Sequence, residues 1–128
     1  QCTKENTTLG HIYLDLFPRD YKYSHCAMFP LLKRAEINGE LQLPASAMIC
    51  NFPRAQNDRP SLLYHDDVLT FIHEFTLICH TMCTTSSFNR FSGTSVEKDF
   101  VEMPSLMLEN WMWDEKVITE ISMHHQTK

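Results

Sequence analysis

A chain of 128 residues and 15.0 kDa is long enough for one domain with a real core. Its 43% hydrophobic and 21% charged residues are the balance of a folded globular chain, which argues against disorder. The net charge of -5, with basic residues scattered, sets nucleic acid aside as a partner, and no apolar run approaches a bilayer span, which sets a membrane aside.

The opening 1-QCTKENTT-8 has neither the basic start nor the apolar centre of a signal peptide. Five cysteines (Cys2, Cys26, Cys50, Cys79 and Cys83) are an odd number without the dense spacing of a secreted disulfide scaffold. Reduced thiols and a cytoplasmic location are the expectation, with a mitochondrial one open if a targeting segment has been removed.

In chain order, 9-LGHIYLDLF-17 alternates from Ile12 onward, with Ile12, Leu14 and Leu16 on one side, and predicts a strand ended by Pro18. The stretch 18-PRDYKYSH-25 reads as a loop, and 26-CAMFPLLKRAEINGE-40 is ambiguous up to a turn at Asn38-Gly39. A second strand is predicted in 41-LQLPASAMICNF-52, where Pro44 implies a sheet edge or a bulge, and such an edge could carry a peptide by main-chain pairing. After the loop 53-PRAQNDRP-60, a helix is predicted from about Asp66 to Thr84. Two acids stand at its positive end, and a stripe of Val68, Phe71, Ile72, Phe75, Cys79 and Met82 faces the core. The polar loop 84-TTSSFNRFSGTS-95 has Gly93 as a candidate pivot for a flap or a plain connector. A second helix is predicted from Val96 to about Ile121, kinked or split by Pro104, with Trp111 in the core and Trp113 partly exposed. These elements predict an α+β arrangement, mainly helical, with two long helices beside a small sheet.

The chemistry-bearing stretch is 73-HEFTLICH-80. His73 and Glu74 open it as in zinc-peptidase helices, where a second histidine four residues on brings two imidazoles to one ion. Here that position is Leu77, and the next histidine, His80, is about 10.5 Å along the axis from His73. By helical geometry His73, Leu77 and His80 share a face other than the core stripe. From the residues alone, a solvated or hydrogen-bonded His-Glu pair is the better reading of His73 and Glu74. Cys79, His80 and Cys83 offer a second conceivable metal cluster, against which stands packing of Cys79 in the core.

The segments 9-LGHIYLDLFPRDYKYSH-25, 48-MICNF-52, 61-SLLYHDDVLTFIHEF-75 and 91-FSGTSVEKDFVEMPSLMLENWMW-113 resemble the catalytic region of the thimet oligopeptidase and neurolysin family of zinc metallopeptidases. The resemblance is collinear from about Leu9 to His125. It implies a zincin-like fold and endopeptidase action on short peptides by a zinc-activated water. The family's helix motif is H-E-F-G-H. Matched residue by residue, His73 falls on the first zinc ligand, Glu74 on the general base, and Glu102 on the third ligand. The second ligand falls on Leu77, and the glycine before it on Thr76. His80 falls on a trailing histidine that is not a ligand, and is a disfavoured substitute. A second-shell role for Glu97 or Asp99 is open.

Members of this family are several times longer, so residues 1-128 are expected to form a partial catalytic domain whose uncovered faces belong against missing portions of a larger peptidase. One zinc ion is implied as cofactor, with weak or absent binding expected at Leu77. Activity is accordingly expected to be lost or severely weakened. A non-catalytic peptide-binding module and a non-functional truncated product are the alternatives.

Overall fold

The computed structural model describes residues 2–4 and 7–126, with side chains from Thr7 onward. Four strands form one sheet in the order β1-β2-β6-β3: β1 Cys2–Lys4, β2 Thr7–Asp15, β3 Ala27–Leu32 and β6 Ala45–Ile49. β6 pairs in parallel with β2, Ile12 facing Ser46, and antiparallel with β3, Met28 facing Met48. A parallel pair requires a crossover, and the crossover contains a hairpin of β4 Ala35–Ile37 and β5 Glu40–Gln42. Its turn is Asn38-Gly39, both at positive φ (53° and 82°), the combination favoured in two-residue hairpins.

Of the edge or bulge implied by Pro44, the edge is excluded, because β6 is internal. Pro44 escapes the ladder because it precedes β6, and its carbonyl accepts the His11 N–H at 3.0 Å. The edge proline is Pro30 in β3, where the register against β6 shifts. The loop after β2 is pinned by Lys22, whose side chain is only 2% exposed. Its ammonium reaches the Asp15 carboxylate at 2.9 Å and the carbonyls of Asp15, Phe17 and Cys50, which a buried charge needs. Hydrogen bonds from Arg19 and from Lys22 hold the Asp15 carboxyl below the usual carboxylate range.

Helix α1 runs from His65 to Met82, close to its predicted span. Asp67, in its first turn, accepts the Tyr64 backbone N–H at 2.9 Å, satisfying a donor at the helix start. Ile78 and Met82 meet Met48, Cys50 and Phe52 in the core, with Ile12, Leu16, Phe71 and Phe75 packed around them. Leu14, grouped in sequence with Ile12 and Leu16, stays 52% exposed. Cys79 is exposed too, so the core stripe runs through Ile78 instead. Thr76, Leu77 and Thr81 are buried as well, because α1 is covered twice: by β2, β3 and β6, and by α3.

The long second helix is not continuous. It is cut into α2 Lys98–Val101, α3 Met103–Glu109, a 3-10 turn Asn110–Trp113 and α4 Glu115–Ile121. Pro104 stands in the first turn of α3, where its missing N–H costs nothing, and Asp114 caps α4 by accepting the Lys116 N–H at 2.9 Å. Met112 is the buried residue of the 3-10 turn; Trp111, expected in the core, is 58% exposed, and Trp113 is exposed as expected. Ser92 and Gly93 are buried, with Gly93 (φ 61°) seated against Thr81, so this loop is a packed connector and not a free flap. Among the described residues no helix is long and apolar enough to cross a membrane.

Gly10 marks where β2 and α1 touch. A Cβ there would collide with the Met82 Sδ and lie 2.6 Å from the Pro44 carbonyl oxygen, which is fixed by its bond to His11. Gly10→Ala is expected to destabilise the chain by about 1–3 kcal/mol, read as a lower urea midpoint at unchanged slope.

Candidate active site

Helix α1 carries His73 and Glu74 at its middle, and Glu102 stands at the junction of α2 and α3. Pro104 requires that break, and the break aims Glu102 back at α1. The hydroxyl of the fully buried Ser105 lies 2.8 Å from the Glu102 carbonyl and 3.0 Å from its Oε2, so a buried donor steadies the carboxylate. The His73 Nε2 is 3.0 Å from that same Oε2.

The other nitrogen of His73, Nδ1, lies 2.5 Å from the Glu109 carboxylate. Glu109 closes α3, two turns beyond Glu102 and on the same side of it. Both ring nitrogens of His73 therefore face carboxylate oxygens, and Glu109 and Glu102 fix the orientation of the ring between them. Glu97 and Asp99 are exposed and do not fill this role. Glu109 escaped the sequence reading, although the spacing of the acids in 102-EMPSLMLE-109 was there to be seen.

Glu74 is half-buried, and its Oε2 accepts the backbone N–H of Met28 in β3 at 2.6 Å. Burial pushes its carboxyl above the ordinary range; the Met28 hydrogen bond and His73 oppose this, while Glu102 adds to it. His73, Glu74 and Glu102 therefore form one electrostatic group spanning α1, the α2–α3 junction and the sheet edge.

Leu77, one turn past His73, is buried at 9% exposure. His80 lies further along α1 with its ring edge-on to Phe100 (centroids 6.3 Å apart) and its Nδ1 buried without a hydrogen-bond partner. Cys79 and Cys83 are exposed, and among the described residues no three His, Cys, Asp or Glu side chains are grouped to hold a metal ion. Catalytic zinc takes three protein ligands. Here one imidazole and one carboxylate converge, and the third position presents carbon, so the residues as they stand do not fit such a centre.

A separate cavity of about 630 Å³ lies away from this group, lined by Leu62, Leu63, His65, Met112, Ile118 and Ile121 among others. His65 orders its wall: its Nε2 is 2.7 Å from the Met112 carbonyl, and its ring meets Trp113 edge-on at 4.5 Å. Its apolar lining carries none of the His73 chemistry.

The raised pKa of Glu74 has a testable sign. Between the ordinary value of 4.5 and the higher folded value, the folded chain holds a proton that the unfolded chain has released. Stability associated with Glu74 is thus fullest below about pH 4.5 and falls as pH rises through the folded pKa. Glu74→Gln, which keeps an acceptor for Met28, is expected to be more stable than the parent at neutral pH. Urea midpoints measured across pH should show the gap closing toward acid.

The model of peptidase family M3 matches residues 1–128. The chain is 50% identical over 123 residues to a thimet-like oligopeptidase of Dictyostelium discoideum, covering 94% of this chain and 18% of that protein. It is 40% identical over 126 residues to saccharolysin of Saccharomyces cerevisiae (97% and 18%), and 38% identical over 120 residues to a mitochondrial intermediate peptidase of Arabidopsis thaliana (93% and 17%). The chain spans less than a fifth of the length of these curated relatives. With one family model matched from end to end, the chain belongs to peptidase family M3.

Proposed function

We propose that this chain is the zinc-site segment, a partial catalytic domain, of a zincin-like metalloendopeptidase acting on short peptides, in which hydrolysis is lost or severely weakened. Peptidases of family M3 are generally zinc-dependent. One observation carries the reading: His73 meets Glu102 with Glu74 in electrostatic reach of both, while the residue one turn after His73 is a buried leucine. His73 and Glu102 are the two surviving ligand positions, Glu109 orients His73, and Glu74 is the general base held in place by Met28. Zinc in a peptidase acidifies a water and polarises the scissile carbonyl. Glu74 retains the means to accept a proton and, with a leucine in the ligand set, lacks the acidified donor. The remaining portions of a larger peptidase are the partners that its uncovered faces suit. The cytoplasm is the favoured location, with mitochondria as the alternative that the Arabidopsis relative's name suggests.

A second reading, a peptide-holding module without hydrolysis, is favoured by β3. This edge strand leaves Phe29, Leu31 and Leu32 between 39% and 54% exposed, beside the Glu74 contact. It takes the place of β6, which is internal, as the strand open to main-chain pairing.

The test restores the missing ligand. Leu77→His with Thr76→Gly is expected to raise zinc affinity by more than about a hundredfold, since removing even an outer-shell partner costs 10–100-fold. Equilibrium dialysis measures this directly, with Leu77→His alone as the milder change. The parent chain should lose zinc on dialysis and leave a quenched fluorescent peptide uncut. Stoichiometric zinc in the parent that disappears on His73→Ala or Glu102→Ala would overturn the proposal.

A further inference from the structure

Away from the His73 group, the fold brings a second pair of reactive side chains together. Cys26 stands one residue before β3 and Cys50 one residue after β6, at the next step of the ladder in which Ala27 faces Ile49. Facing residues of antiparallel strands have Cα atoms about 4.5–5.5 Å apart. Disulfides span about 4.4–6.8 Å, so the backbone need not move to accept one. The two Sγ atoms are 2.8 Å apart. That is closer than the roughly 3.5–4.0 Å at which unbonded carbon atoms pack, and about 0.8 Å beyond a sulfur–sulfur bond. Cys50 has no exposed surface and Cys26 is half-buried, and both belong to the core around Met48 and Ile78.

We propose that Cys26 and Cys50 are a redox pair that closes to a disulfide under a small disulfide oxidant such as glutathione disulfide, stapling edge strand β3 to β6. The bond would lie two residues from Met28, whose amide holds the Glu74 carboxylate, so oxidation fixes the strand that positions Glu74.

The step balances as follows. Cys26, the more accessible sulfur, loses its proton and attacks glutathione disulfide, breaking that bond and releasing one glutathione thiolate. Cys50, deprotonated in turn, attacks Cys26 Sγ, breaks the mixed disulfide and releases the second glutathione. The two cysteine protons end on the two glutathione thiols, and two electrons pass from the cysteine pair to the oxidant. Burial, with the contact to Cys50 second, pushes the Cys26 thiol above its ordinary range, and burial also raises Cys50. Closure is therefore slow, and the exposed Cys79 and Cys83 react with the oxidant first.

The full 128-residue chain is equilibrated with graded ratios of reduced and oxidised glutathione, in native buffer and in urea. Remaining thiols are then alkylated and the cysteine peptides mapped without reduction. The expected result is a Cys26–Cys50 peptide whose yield in native buffer exceeds that in urea by about tenfold or more. Native packing holds the pair in contact, whereas urea leaves the sulfurs on a flexible separation of 24 residues. Cys26→Ser and Cys50→Ala each remove this species, and the double change Cys79→Ser with Cys83→Ser leaves it. A native yield no higher than in urea, a dominant link through Cys2, Cys79 or Cys83, or full alkylation of Cys26 at oxidising ratios would each overturn the proposal. The pair would then be two small apolar residues filling the core.

Discussion

The closure of β6 along both edges and across its inner face is the constraint from which the rest of the molecule follows. It is hydrogen-bonded to β2 along one edge and β3 along the other, and α1 lies across it. Met48 has no exposed surface, and neither does Cys50, the residue that follows the strand by one. With no free edge and no free inner face, β6 leaves α1 one place to pack, and Gly10 lets α1 come close enough to do so. The position of Glu74 against the Met28 amide is then a consequence, because a helix seated on β6 brings its middle turn over the neighbouring strand. Site geometry in this chain is inherited from sheet geometry.

The polar groups fall into two arrangements with different logic. Lys22 is a buried cation surrounded by a carboxylate and three carbonyls, so its charge is fully answered and its work is to hold a loop. Around His73 the charges are mostly of one sign: Glu102 and Glu109 flank a single imidazole, and Glu74 lies within electrostatic reach of it. The buried Leu77 one turn away adds no polar group to this cluster.

The strongly periodic segments were legible from the residues alone. The strand around Ile12, the Asn38-Gly39 turn and the span of α1 all lie where sequence pattern puts them, because each depends on local chemistry, although the alternation of β2 breaks at the exposed Leu14. What local pattern could not supply was neighbourhood. Pro44 left an edge or a bulge open, but strand order is a long-range property, and the edge proline is Pro30. Leu77 appeared to face away from the core because one stripe was assigned to one partner, whereas α1 has two, the sheet and α3. The split of the second helix near Pro104 was legible; the further break into a 3-10 turn and α4, where Asp114 caps the new helix, was not, because a cap outweighs hydrophobic spacing. The meeting of His73 with Glu102 was expected through the family resemblance, not through periodicity. Glu109 was missed because its role exists only once α3 lies beside α1.

The burial of Leu77 gives this chain a direction of change. A leucine side chain taken out of water contributes about 1.5–3 kcal/mol, and an imidazole in the same place would need a partner or a metal to offset its desolvation. Thr76 beside it is buried as well, with its hydroxyl on the Ile72 carbonyl, so both residues belong to the packing between α1 and its neighbours. An imidazole introduced at position 77 would therefore loosen the fold before it altered any chemistry, and stability sets the cost of change at these two positions.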